Sequence, residues 1–171
     1  MNTQDLSEQI VGLAQRITSA ANTEERNVAE RQIDEILRNR GNALPAIFAL
    51  CVTPNVSKSM REYIFVLLRK LANDMSTATQ DEADYMGRSL MSAIFDASID
   101  MSTRGRFADV LKLAASPPIA PSKVDPSVVI KNFALATIFS YNFDEPGGAA
   151  ANLDVVMGVL ITLKAIFNST S

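Results

Sequence analysis

The side chains available for chemistry in this chain are limited in kind. Its 171 residues include no His and a single Cys, Cys51. Without His there is no imidazole base to activate a Ser or Cys nucleophile, and metal sites built from His and Cys clusters are excluded. Carboxylates and lysines remain, but acid–base work needs a pair of groups held in one shaped pocket, and no spacing here singles out such a pair. Asp81, Glu82 and Asp84 are a concentrated acidic group. They open a helix, where the macrodipole favours negative charge, whereas a hard cation needs ligands converging from a loop. Cys51 sits in the apolar run from Ala46 to Val52 and reads as an inert core thiol. Gly147-Gly148 lacks the flanking Gly, Lys and Ser/Thr of a phosphate loop. The sequence therefore predicts no enzyme, no cofactor and no metal site.

Charge and composition narrow the partners. The net charge of −3 argues against a broad basic surface for nucleic acid. One Cys allows no disulfide within the chain, which favours a reducing compartment. The N-terminus, MNTQDLSEQ, is polar and acidic, unlike a signal or transit peptide. The greasiest segment, Leu153 to Phe167, contains Lys164 and falls short of the ~20 residues needed to span a bilayer. A soluble intracellular protein that engages neither nucleic acid nor membrane is expected.

The elements that position these groups are helices. Apolar residues recur at the 3.6-residue period, with little strict alternation. The first helix is predicted from about Thr3 to Ala20, burying Leu6, Ile10, Leu13, Ala14 and Ile17. Asn22 with Glu25 forms a capping box for a second helix, about Thr23 to Asn39, burying Val28, Ala29, Ile33, Ile36 and Leu37. Gly41 suits a left-handed cap at its end. A short apolar third helix, about Ala43 to Val52, stops at Pro54-Asn55. Ser57 caps a fourth, about Lys58 to Asp74, with a core stripe of Met60, Tyr63, Ile64, Leu67, Leu68 and Leu71. Thr79 and Glu82 open a fifth, about Gln80 to Ser98, with Tyr85, Leu90, Ile94 and Phe95 on its apolar face. A sixth, about Ser102 to Ala115, offers Phe107, Val110, Leu111 and Ala114.

The prolines of Ser116–Lys123 make a stiff break that reads as a loop between helices. Asp125-Pro126 then starts a seventh helix, running to about Tyr141. Asp144-Glu145-Pro146-Gly147-Gly148 is a loop, and an eighth helix spans roughly Asn152 to Asn168. Helix pairs repeat at about 35–45 residues, the spacing of HEAT and armadillo hairpins. The expected fold is all-α: a right-handed α-solenoid of about four HEAT-like hairpins, read as a single domain over residues 1–171. The eighth helix is apolar nearly all round, so it packs centrally, self-associates, or is covered by a following repeat in a longer array.

On each helix a polar line lies away from the core stripe. At about 100° per residue these lines are Asn27, Arg31, Asp34 and Arg38 on helix two, and Lys58, Glu62, Phe65 and Arg69 on helix four. Helix six contributes Asp109 and Lys112, with Arg106 beside them. If these are the second helices of successive hairpins, the lines adjoin on the concave side, where repeat proteins usually bind partners. Such a mixed-charge ladder can steer and pair with a charged protein, with Phe65 as anchor. The same pattern also fits a solvated face held by pairs such as Lys58–Glu62, with Phe65 in the core.

The stretch from Ala29-Glu30-Arg31-Gln32-Ile33 through Ile36-Leu37, an apolar helix beginning near Leu44-Pro45, and Met60-Arg61-Glu62-Tyr63-Ile64-Phe65-Val66-Leu67-Leu68-Arg69-Lys70-Leu71 resembles the N-terminal domain of importin-β-like transport receptors. Arg61 falls on the family's Arg, Glu62 on its Gln and Arg69 on its Lys. The match covers about 50 of the 171 residues. The resemblance implies a nucleocytoplasmic transport receptor, present in cytoplasm and nucleus, whose first repeats bind the GTP-bound small GTPase Ran along their inner helices. Cargo and nucleoporins would be met by later repeats. The implied Ran face is Asn27, Arg31, Asp34, Arg38, Glu62, Phe65, Arg69, Asp109 and Lys112. The competing expectation is a self-assembling or scaffolding helical protein, complete at this length.

Overall fold

The computed structural model describes residues 2–116, 126–140 and 148–169. Among them the ordered elements are all helical: α1 (Thr3–Ser19), α2 (Thr23–Arg38), α3 (Arg40–Val52), α4 (Lys58–Asn73), a 3-10 turn at Met75–Thr77, α5 (Gln80–Ile94), α6 (Met101–Ala114), α7 (Pro126–Ser140) and α8 (Gly148–Ser169). Two compact units divide the chain, Met1–Leu71 and Ala72–Ser171.

In the first unit the helix starts are set by side chains that satisfy free backbone N–H groups. The Asn2 side-chain oxygen accepts from the N–H of Asp5 at 2.8 Å, and that of Asn22 from Glu25 at 2.9 Å. The Glu25 carboxylate turns back to the N–H of Ala21 at 3.2 Å, one residue earlier than a standard capping box reaches. Ser57 accepts from the N–H of Met60 at 3.2 Å. All five expected core residues of α1 are buried. Two expectations for α2 fail. Val28 is 43% exposed, and Ile36 and Leu37 are only partly covered, so the buried stripe narrows to Ala29 and Ile33. Gly41 is no left-handed cap: α2 stops at Asn39, whose carbonyl accepts from the N–H groups of Asn42 and Ala43 and so starts α3 at Arg40. Pro45 lies inside α3, where it removes one ladder bond near the start. α1 packs along both α2 and α3.

In the second unit Thr79 caps α5 through the N–H of Glu82 at 3.2 Å, and Asp100 caps α6 through the N–H of Thr103 at 3.0 Å. α5 packs on α7 and on α6, and α6 packs on α8. Helices two apart in the chain thus lie side by side within each unit, as α1 and α3 do. Two glycines permit close approaches. A Cβ on Gly87 would meet that of Phe133 at 3.3 Å, and one on Gly158 would come within 2.9 Å of the Phe95 ring. α8 starts at Gly148, earlier than expected, because Ala149, Ala150 and Ala151 are strong helix formers. The proline-rich stretch from 117, the Asp125 cap and the loop residues 144–147 fall outside the described residues.

The glycines give a paired stability test by urea unfolding. Gly105, inside α6, has open space around its missing Cβ, so Gly105→Ala is expected to stabilise by about 0.5–1 kcal/mol. Gly158→Ala gains the same helix term but drives into the Phe95 ring, for a net loss of roughly 1–2 kcal/mol. Equal effects at both positions would contradict the packing.

Candidate functional site

Two arginines show what the helix ends require. The guanidinium of Arg61 donates to the carbonyl of Thr53 at 2.6 Å, at the C-terminal cap of α3. Arg104 is 1% exposed, and its Nε donates to the carbonyl of Ile94 at 2.6 Å, at the end of α5. Both satisfy carbonyls that a helix terminus leaves without intrahelical partners. Arg61, singled out in the sequence only by resemblance, therefore has a structural task in this chain. Arg104 escaped the sequence reading although it shares the spacing of Phe107, Ala108 and Leu111 on the buried face of α6.

The outward line of α2 is where the sequence puts it. Asn27, Arg31, Asp34 and Arg38 are all exposed, as are Glu62 and Arg69 on α4. Arg31 also donates from Nε to the Asn27 carbonyl at 3.3 Å, which sets its side chain along the helix. α2 and α4 are electrostatic neighbours. The Tyr63 phenol is pushed above its ordinary pKa, first by burial and then by the carboxylates of Glu30 and Asp34. Phe65 corrects the expectation of a partner-facing anchor: it is 3% exposed and belongs to the interior. Asp109 and Lys112 are exposed on α6 in the second unit.

An open cleft of about 440 Å³ in the second unit is lined by Phe95, Phe133, Arg88 and Asp96. Its carboxylate is already engaged: the Ser98 hydroxyl donates to Asp96 at 2.6 Å and the Ser98 N–H at 2.9 Å. These bonds, with Arg104 nearby, hold Asp96 below the usual carboxylate range, the opposite of a general acid. No three His, Cys, Asp or Glu residues converge as metal ligands among the described residues. Nor, among them, is any helix long and apolar enough to cross a membrane.

Cys51 is fully buried on α3, and desolvation pushes its thiol up to about 12, only slightly offset by the charge of Arg61. A nucleophile needs the thiolate, so this thiol is inert while folded. Its pKa is raised by folding, so its contribution to stability is complete below the unfolded value of 9.0 and is lost as pH climbs from there toward about 12. Labelling with a disulfide reagent at pH 8 is expected to follow the urea unfolding curve, with native protein unreactive. Rapid labelling of the native chain would contradict this burial.

Compared with known proteins, the chain matches no family model, no curated protein and no solved structure.

Proposed function

We propose that this chain is a protein-interaction module of an importin-β-like transport receptor, whose first unit binds the small GTPase Ran in its GTP form through α2 and α4. The observation that carries the reading is the exposed mixed-charge line of α2, Asn27, Arg31, Asp34 and Arg38, together with the exposed Glu62 and Arg69 of α4. These helices fall in the stretch whose motifs resemble the receptor family. The packing of α1 on α3 in the first unit, and of α5 on α7 and α6 on α8 in the second, supports HEAT-like hairpins stacked within each unit. Alternating charges suit recognition of a charged protein surface by steering and paired contacts.

A second reading has an observation of its own. On α8, Leu160 is 54% and Phe167 71% exposed, so this helix has apolar surface for self-association. Light scattering after size exclusion separates the two: a discrete oligomer abolished by Leu160→Glu with Phe167→Glu favours self-assembly.

The leading reading is tested by pull-down with Ran loaded with GTP or GDP. Binding is expected with GTP alone, and Arg31→Glu with Arg69→Glu is expected to weaken it at least tenfold, about 1.4 kcal/mol. Equal or absent binding in the two nucleotide states overturns the proposal. Phe65→Ala is expected to act by destabilising the fold, by roughly 3–5 kcal/mol in urea unfolding.

A further inference from the structure

The cleft of about 440 Å³ lies in the second unit, and the Ran reading makes no use of it. α5 lines it along one side from Arg88 onward, and α7 contributes Phe133. From Arg88 to Asp96 that side runs about 12 Å at the helical rise. Phe95 and Phe133 are each partly exposed, so ring surface reaches the cleft, while Met91 is buried beneath them. The two ends carry opposite charges. Arg88 is exposed and makes no hydrogen bond or ion pair with another described residue. Asp96, also exposed, receives both Ser98 bonds on Oδ1, which leaves Oδ2 without a partner among the described residues. Those bonds fix the direction of the carboxylate and keep it ionised.

We infer that this cleft binds a free peptide of about three residues with apolar side chains, its C-terminal carboxylate on Arg88 and its N-terminal ammonium on Asp96. A fully extended tripeptide spans about 10 Å, close to the separation of the two charges. The planar guanidinium takes a carboxylate through two parallel bonds, and an ammonium brings donors that Oδ2 of Asp96 can accept. The apolar side chains of the peptide then lie on the ring surface of Phe95 and Phe133. A segment inside a protein chain has neither terminal charge and would use neither end of the cleft.

The test titrates the full, isotope-labelled chain with the tripeptide Leu-Ala-Leu and follows the amide signals by NMR. Saturable shifts are expected around Arg88–Asp96 and Phe133. Acetylating the peptide's N-terminus or amidating its C-terminus should each weaken binding about fivefold. Arg88→Gln should make the free and amidated peptides bind alike while acetylation still weakens binding, and Asp96→Asn should do the converse. A misfolded variant cannot give these selective losses. Arg31→Glu with Arg69→Glu, which tests the Ran reading, should leave this binding unchanged. A doubly blocked peptide that binds as tightly as the free one, insensitivity to both Arg88→Gln and Asp96→Asn, or shifts confined to other helices overturns the inference.

Discussion

The rest of the structure depends on one constraint: its helices carry apolar surface that none of them can bury alone. Seven of the thirteen residues of α3 are buried, and they cover somewhat more than half of its circumference. A helix of that length is marginal in isolation, so its order comes from what encloses it. α1 supplies the complementary stripe of Leu6, Ile10, Leu13 and Ile17, where each fully buried large side chain contributes about 1.5–3 kcal/mol. In the second unit the same demand brings α5 against α7 so closely that a Cβ on Gly87 would press on Phe133. Packing between helices two apart in the chain follows directly.

That constraint sorts the charged residues into two kinds. Where a helix ends inside the packing, its carbonyls need donors, and Arg61 and Arg104 turn inward to supply them. Where a helix face looks outward, charge stays in solvent, as on the line from Asn27 to Arg38. The thiol of Cys51 is locked neutral by burial, and the carboxylate of Asp96 is held ionised by Ser98.

Helix existence and capping were largely legible in the sequence, because Asn22, Ser57 and Thr79 act locally on N–H groups three residues ahead. The core of α1 was legible for the same reason: a single clean stripe at the helical period. Tertiary context decided the rest. Val28 fits the apolar period of α2, yet the packing of α1 and α3 leaves its flank open. Phe65 fits the polar line of α4, yet it is enclosed, because α4 is covered more widely than one stripe. Gly41 reads as a stop, but Asn39 had already ended α2 and started α3. Of the candidate partner face, the charged positions on α2 and α4 are exposed as expected, while the aromatic one is interior. A periodicity identifies faces without saying how much of each face a neighbour covers.

The proposed partner face of the first unit lies on α2 and α4, and its proposed partner is nucleotide-dependent. Amide hydrogen exchange of the chain, mixed in turn with Ran bound to GTP and to GDP, measures this directly. The proposal predicts added protection over Thr23–Arg38 and the part of α4 before Leu71, in the GTP state alone. Protection that is absent, independent of the nucleotide, or confined to other helices would contradict it.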